Sequence, residues 1–116
     1  MIGIDIVETK RIKKLIKNKK FLKRMFAPEE IKYCETKKNK EQHYSARFAA
    51  KEAVWKAFSG KIKISLKDII IKNIESGKPV VFFNNKKVNN VKIEVSLSHT
   101  KDYSVAIAIL LDLDKK

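Results

Sequence analysis

One predicted helix limits the possible folds more than any other segment of the chain. It should run from about Lys40 to Ser59, with Gly60 as its C-terminal stop. A helix that is apolar on two sides is buried on both. In a chain of 116 residues this predicts a central helix that also contributes to an oligomer interface. One side carries a stripe of small residues and the nearly opposite side a stripe of aromatic residues: Ala46, Ala49, Ala50, Ala53 and Ala57, against Tyr44, Phe48 and Trp55.

The other segments predict an α+β protein, in which an N-terminal strand and helices precede an antiparallel sheet that packs on the central helix. Alternating residues predict a strand near the N-terminus, and Pro28 is a helix-start signal. The chain is too short for two independent cores, so we expect a single domain over residues 1–116. The predicted elements are a strand at 2–7, one or two amphipathic helices at 10–26, a helix at 28–37, and strands at 68–75, 79–83, 91–97 and 103–111, with a turn at 76–79 and a polar loop at 84–90.

Charge is the strongest compositional signal, because 27 basic residues face only 13 acidic ones and the net charge is +14. Such a charge predicts an anionic partner, which could be nucleic acid, a nucleotide, a membrane surface or an acidic protein. Only three of the basic residues are arginine, so a general enrichment in lysine explains the overall charge equally well. A general enrichment in lysine does not explain how the charge is distributed, since the segment from Thr9 to Pro28 has nine basic residues and no acidic one.

We expect a cytoplasmic protein. No apolar run approaches the roughly 20 residues needed to span a bilayer, and no basic region precedes the apolar N-terminal stretch. The single cysteine, Cys34, cannot form an internal disulfide. It also lacks a recognisable activating group, so we interpret it as unreactive.

Two carboxylates are candidates for a metal site. Asp5 lies in an apolar strand, where a carboxylate requires a cation or hydrogen-bond donors, although it could instead cap a neighbouring loop. Glu52 and Lys56 share a helix face, and their spacing also fits a plain ion pair. If Asp5 and Glu52 converge, their oxygens suit Mg²⁺, which completes its shell with water and phosphate oxygens. Lys56 and Lys51 would then face a phosphate group.

His99 is a further candidate, because hydroxyl groups and Lys101 surround it in a pattern that suits an anion. A lone histidine is more often structural. Two other functions fit the basic composition: a nucleic-acid-binding module and an interfacial membrane helix at residues 10–26. The first lacks aromatic residues interleaved with exposed lysines. The apolar face of the second is explained by packing on the core.

Taken together, four segments resemble the holo-(acyl-carrier-protein) synthases over essentially the whole chain. They occur in the family's order, and the chain length is typical of the family. The segments are Gly3-Ile4-Asp5-Ile6-Val7, Arg47-Phe48-Ala49-Ala50-Lys51-Glu52-Ala53 followed by Lys56-Ala57, Gly77-Lys78-Pro79, and Ser96-Leu97-Ser98-His99-Thr100.

The resemblance implies the 4′-phosphopantetheinyl transferase fold and a Mg²⁺-dependent transfer of 4′-phosphopantetheine from coenzyme A to a serine of apo acyl carrier protein. This reaction releases adenosine 3′,5′-bisphosphate and supports fatty acid biosynthesis. Asp5 and Glu52 would bind Mg²⁺, Lys56 would lie near the phosphates, and Arg47 and His99 would lie near the 3′-phosphate of the nucleotide. The acceptor of the serine proton stays open between Glu52, a water on the metal, and Lys56 with a lowered pKa.

The resemblance also implies a homotrimer with active sites between subunits, and an acidic carrier protein docked on the first helix. The family usually has further glycines after the long helix, whereas residues 58–64 contain only Gly60, so we expect a different loop shape. The residues that correspond to the docking surface are Arg11, Leu15, Lys20, Phe21 and Arg24.

Overall fold

The computed structural model describes residues 1–73, 75–86, 88 and 91–112. Helices come first and antiparallel strands follow, as predicted. The predictions for residue 74 of the first long strand and for residues 87, 89 and 90 of the polar loop lie outside the described residues. The elements are β1 (Ile2–Glu8), α1 (Thr9–Leu15), α2 (Lys19–Met25), α3 (Pro28–Glu35), α4 (Lys40–Ala57), a short 3-10 helix (Leu66–Asp68), β2 (Ile69–Asn73), β3 (Pro79–Phe83), β4 (Lys92–His99) and β5 (Tyr103–Asp112).

The strands form two sheets rather than the one that the sequence predicted. A three-stranded antiparallel sheet has the order β1-β5-β4, so the last strand lies at its centre. The β2–β3 hairpin forms a separate two-stranded sheet. Ile69 and Ile71 of β2 are buried in the core that α4 shares with both sheets, so packing rather than a continuous hydrogen-bond ladder attaches the hairpin.

Helix α4 is central, as predicted, and it packs directly against β1. Ala53 and Ala57 are fully buried at this contact. A Cβ atom at Gly3 would overlap the carbonyl oxygen of Ala53 and would lie 2.7 Å from the amide nitrogen of Ala57. The glycine and the alanine stripe therefore allow the strand and the helix to approach at backbone distance.

The predicted burial of the aromatic stripe is correct for two of its three members. Tyr44 and Phe48 are buried against the aromatic rings of Phe21 and Phe26, which come from α2 and the residue after it. Trp55 is 48% exposed, so the prediction that it is buried is wrong. The cluster of Phe21, Phe26, Tyr44 and Phe48 does not include Trp55, which lies about two turns further along α4.

One face of the three-stranded sheet is apolar along β1 and β5 and is open in the single chain. Gly3 and Val7 face α4, so the isoleucines at alternate positions of β1 point outward, with Ile2, Ile4 and Ile6 62%, 62% and 65% exposed. We call this surface the open sheet face; its exposed apolar members are Ile2, Ile4, Ile6, Tyr103, Ile109 and Leu111. In the part of the chain that the structure describes, no helix is both long and apolar enough to cross a membrane.

Candidate active site

Asp5 and Lys56 join β1 to α4 at one edge of the contact between them. Asp5 has the same strand parity as Gly3 and Val7, so its side chain points toward the helix. The Lys56 Nζ atom donates to Asp5 Oδ1 at 2.9 Å and to the carbonyl oxygen of Ile4 at 3.1 Å. The Asp5 side chain is only 14% exposed, so this ion pair is largely shielded on its acidic side.

Glu52 lies one helical turn before Lys56 and belongs to the same group. Burial raises the pKa of Glu52, and the negative charge of Asp5 raises it further, while the charges of Lys56 and Arg11 oppose both effects. The two carboxylates are therefore close enough to repel each other. The structure brings Asp5, Glu52 and Lys56 together, as the sequence predicted for a two-carboxylate site.

The donor set of this group fits Mg²⁺. Carboxylate oxygens are hard ligands, and a cation between Asp5 and Glu52 would offset both the burial of Glu52 and its repulsion by Asp5, the two causes that raise its pKa. Among the residues that the structure describes, no group of three or more His, Cys, Asp or Glu side chains could hold a metal ion. A site with two carboxylates suits Mg²⁺, because this ion usually has few protein ligands and fills its other coordination positions with water and phosphate oxygens.

Arg47 and His99 line a second cleft of about 460 Å³, together with the turn at Gly77-Lys78-Pro79. We call it the arginine cleft. The Arg47 Nη2 atom donates to Asn73 Oδ1 at 2.8 Å, and the guanidinium carbon lies 4.1 Å from the centre of the Tyr33 ring. Arg47 is buried, and its Nε–H has no hydrogen-bond partner among the described residues. The positive charge of a guanidinium group in the wall of a cleft suits an anion.

The carboxylate group and the arginine cleft occupy different sides of α4. Arg47 and Glu52 are five residues apart, which separates them by about 140° around the helix. The residues that line the arginine cleft do not include Asp5, Glu52 or Lys56. One chain therefore presents two half-sites rather than one continuous site.

The predicted docking residues lie along α1 and α2. Arg11 and Leu15 line a shallow cleft on α1, and Arg11 is close enough to Glu52 for its charge to lower the pKa of that carboxyl group. Lys20 and Arg24 are exposed on α2, whereas Phe21 is half-buried. This basic surface therefore extends along two helices and ends beside the carboxylate group.

The prediction that Lys51 faces a phosphate is wrong in this structure. Its side chain is fully buried and forms an ion pair with Glu30, which is buried as well. The Lys51 Nζ atom also donates to the carbonyl oxygens of Met25 and Leu66, both at 2.9 Å. These three acceptors use all three donors of the ammonium group, so none is left for a ligand.

Comparison with known proteins identifies the family. The model of the 4′-phosphopantetheinyl transferase superfamily matches residues 1–108. The chain belongs to this superfamily. A holo-(acyl-carrier-protein) synthase from Ruminiclostridium cellulolyticum is 42% identical, in a match that covers 95% of this chain and 90% of the relative. One from a Geobacillus species is 44% identical over 94% of this chain and 93% of the relative.

Solved structures in the superfamily have the same fold, which confirms the predicted α+β class. The Helicobacter pylori synthase in complex with coenzyme A superposes with a TM-score of 0.82 at 33% identity, covering 95% of this chain and 99% of that one. The Bacillus anthracis synthase in complex with CoA (3′,5′-ADP) superposes with a TM-score of 0.81 at 34% identity, covering 94% of this chain and 93% of that one.

Three residues of the arginine cleft in this superfamily member were not found from the sequence: Tyr33, His43 and Asn73. For His43 a signal exists, because it lies four residues before Arg47 on α4 and so shares its face. Burial lowers the pKa of His43, and the charge of Arg47 lowers it further. For Asn73 the sequence carries no signal, because its contact with Arg47 depends on how β2 lies against α4.

Cys34 is buried, and burial raises the pKa of its thiol to about 12. A thiol with such a pKa is almost entirely protonated at neutral pH, which agrees with the prediction that Cys34 is unreactive.

Proposed function

We propose that this chain transfers the 4′-phosphopantetheine group of coenzyme A to a serine hydroxyl of apo acyl carrier protein, with Mg²⁺ as cofactor. The products are holo acyl carrier protein and adenosine 3′,5′-bisphosphate, and the reaction belongs to fatty acid biosynthesis in the cytoplasm. The observation that carries the proposal is the meeting of Asp5, Glu52 and Lys56 in a chain whose relatives are synthases of this kind.

In this reaction the serine oxygen attacks the β-phosphorus of coenzyme A, and the bond from that phosphorus to the oxygen of the departing nucleotide breaks. A bound Mg²⁺ held by Asp5 and Glu52 would neutralise charge on the diphosphate. Lys56, oriented by Asp5 and the Ile4 carbonyl, is placed to donate to a phosphate oxygen as negative charge moves to the leaving group. We assign removal of the serine proton to Glu52 or to water.

Arg47 and His99 bind the 3′-phosphate of coenzyme A in this proposal. Both line the arginine cleft, where the guanidinium group of Arg47 offers positive charge. The two half-sites lie on different sides of α4, which favours a ligand that is bound between two subunits. We therefore propose a homotrimer in which the carboxylate group of one subunit faces the arginine cleft of its neighbour.

A transfer assay tests the proposed activity. The protein is incubated with coenzyme A, MgCl₂ and apo acyl carrier protein, and the carrier is weighed by mass spectrometry. We expect the mass gain of one phosphopantetheine group, and we expect EDTA to stop it. An unmodified carrier would contradict the proposal and favour the alternative of a basic nucleic-acid-binding module.

We place the acidic carrier protein on the basic surface of α1 and α2, at Arg11, Leu15, Lys20, Phe21 and Arg24. Arg11→Glu should raise the KM for the carrier about tenfold or more, because a repulsive charge replaces an attractive one beside the site. The KM for coenzyme A should change little. Lys86→Glu, at an exposed position after β3, makes the same change in net charge and serves as the control. Equal effects of the two variants would contradict this docking site.

A further inference from the structure

A groove of about 440 Å³ lies where α2, α3 and the 3-10 helix meet, and we call it the lysine groove. Its lining does not include any residue of the carboxylate group or of the arginine cleft. A volume of several hundred cubic ångströms with apolar surface and a few polar groups is typical of small-molecule sites. The apolar surface comes from Phe26, Pro28 and Ile31, and each of the three elements adds one exposed lysine: Lys23, Lys32 and Lys67.

The lysine groove carries positive charge that its lining does not balance. No acidic residue lines the groove, and none of its three lysines forms an ion pair with another described residue. Two acidic residues of α3 interact elsewhere: Glu29 Oε2 lies 3.9 Å from Lys72 Nζ, and Glu30 forms the buried pair with Lys51. Asp68 follows the third lysine in the chain but does not line the groove. An anion in the groove would therefore lower the mutual repulsion of the three lysines.

Contacts beneath the lysine groove hold it in shape. Phe26 is fully buried, and the centre of its ring lies 5.1 Å from the centre of the Tyr44 ring. The Lys51 Nζ atom donates to the carbonyl oxygens of Met25 and Leu66, so one buried ammonium group links the end of α2 to the start of the 3-10 helix. The same atom lies 5.3 Å from the centre of the Phe26 ring. These contacts need no ligand, so binding in the groove requires little ordering of the backbone.

We propose that the lysine groove binds a single-chain fatty acid, with the alkyl chain on Phe26, Pro28 and Ile31 and the carboxylate among the three lysines. The apolar residues remove methylene groups from water, and a carboxylate forms charge-assisted hydrogen bonds with ammonium groups. A volume near the lower end of the range for small-molecule sites suits one alkyl chain rather than the two chains of a membrane lipid. A nucleotide has no chain for the apolar surface. This site is separate from the candidate active site and does not depend on the proposed function.

Calorimetry with decanoate tests the proposal. Acetate carries the same head group without the chain, and decyltrimethylammonium carries the same chain with the opposite charge. We expect saturable binding of one decanoate per chain, and binding weaker by about tenfold or more for the other two ligands. Saturating coenzyme A should not change the affinity for decanoate. No binding of decanoate, equal binding of decanoate and decyltrimethylammonium, or displacement of decanoate by coenzyme A would overturn the proposal.

Variants of the groove provide the second test. Lys32→Glu/Lys67→Glu should weaken decanoate binding about tenfold or more, because two repulsive charges replace two attractive ones beside the carboxylate. Lys38→Glu/Lys86→Glu makes the same change in net charge at exposed positions outside the groove and should bind like the natural chain. Ile31→Ser should weaken binding about tenfold by removing apolar surface, whereas Ile31→Leu should retain it. Thermal melts without ligand establish that each variant is folded. Equal losses in the two charge variants would overturn the proposal.

Photo-cross-linking locates the site directly. A decanoate with a diazirine group near its terminal carbon is bound and irradiated, and mass spectrometry identifies the labelled peptides. We expect labels within residues 23–32 or at residues 66–67, suppressed by excess decanoate. Labels only elsewhere, such as on the open sheet face or beside Trp55, would overturn the proposal. Transfer without decanoate binding would overturn this inference alone, and decanoate binding without transfer would overturn the proposed function alone.

Discussion

The candidate site places like charges close together. Asp5 and Glu52 repel each other across the contact between β1 and α4, and burial together with this repulsion raises the pKa of Glu52 despite the opposing charge of Lys56. Groups whose pKa is displaced by burial and by a specific neighbour are typical of catalytic and metal-binding sites. In the absence of a cation the folded chain is therefore less stable than its packing would allow.

Glu52→Gln should abolish transfer and raise the melting temperature of the metal-free protein at pH 7.5. A raised pKa means that folded Glu52 holds its proton more tightly than the unfolded chain does. The free energy of unfolding therefore falls as the pH rises from below the ordinary value of 4.5 through the raised value, and the glutamine variant avoids this loss. Near pH 3 the two proteins should melt alike, because Glu52 is protonated in both states.

Thermal melts in EDTA at both pH values, together with the transfer assay, check this prediction. Glu75→Gln, which removes an exposed carboxylate from the turn after β2, is the control and should leave transfer unchanged. Full transfer by Glu52→Gln would contradict the metal assignment. A lower melting temperature at pH 7.5 would contradict the raised pKa of Glu52 and so the burial and repulsion that cause it.

Two buried contacts of α4 with its neighbours help to set the geometry of both half-sites. At the first, Gly3 lies against the backbone of α4. At the second, Lys51 pairs with Glu30, whose carboxylate also accepts from the amide nitrogens of Ala27 at 2.9 Å and Ile71 at 3.0 Å. This carboxylate joins the start of α3 and strand β2 to α4. The segments that carry Glu52, Arg47 and Asn73 are thereby held together.

Gly3→Ala should lower the free energy of unfolding by about 3 kcal/mol, the upper end of the usual cost of overpacking, because the added methyl group meets backbone atoms that cannot rotate away. Gly60→Ala provides the comparison. The added methyl group at position 60 has no neighbouring atom within 4 Å, but the φ value there is 75°. Only the left-handed backbone conformation therefore costs energy, about 1–2 kcal/mol. Urea denaturation measures both, and a smaller loss for Gly3→Ala than for Gly60→Ala would contradict the close contact.

Replacement by alanine should mainly lower stability at Lys51 and mainly lower transfer activity at Lys56, both on α4. Lys51→Ala leaves Glu30 buried without its cation, which should cost about 3–5 kcal/mol. Lys56→Ala removes a side chain that is half exposed, which should cost about 1 kcal/mol or less, yet it should lose nearly all transfer activity. Denaturation curves and transfer rates for both variants check this. A stable Lys51→Ala protein with a selective rise in the KM for coenzyme A would restore the original prediction for Lys51.

At the scale of the whole molecule, the chain has an apolar sheet face and a basic helical face. The open sheet face contains Ile2 and Ile109 as cross-strand partners, with Ile4 and Ile6 beside them on β1. Contiguous apolar surface of this kind usually marks an interaction site. A second copy of the chain is the occupant that the proposed trimer requires, because it would also bring the two half-sites together.

Ile109→Glu should dissociate the assembly and lower the transfer rate by at least tenfold, because a buried unpaired carboxylate would oppose association. Native mass spectrometry at micromolar concentration measures the oligomeric state. Phe82→Glu, on the separate hairpin, should leave both the assembly and the rate unchanged. A monomeric natural chain with full activity would contradict the proposed trimer.

Periodicity and turn residues were sufficient to predict the order of the main helices and strands and most of their bounds to within two residues. Strand β3 was predicted at its observed residues, Pro79–Phe83, and α4 was two residues shorter than predicted. These features depend on local preferences that each segment carries in its own residues. The proximity of Asp5 and Glu52 could also be predicted from the sequence. Asp5 lies in an apolar strand, and Glu52 lies beside a stripe of small residues that a strand could approach.

By itself, the sequence determined the elements, their apolar faces and the side chains that share a helical face. Only the tertiary structure decided what covers each face. Lys51 points inward and forms an ion pair with the buried Glu30, whereas Trp55 lies beyond the aromatic cluster of Tyr44 and Phe48 and stays half exposed. Arg47 contacts Asn73 because β2 lies beside α4. The physical reason is that helical and strand periods are local, whereas a covering contact depends on residues that are distant in the chain and whose approach no local pattern encodes.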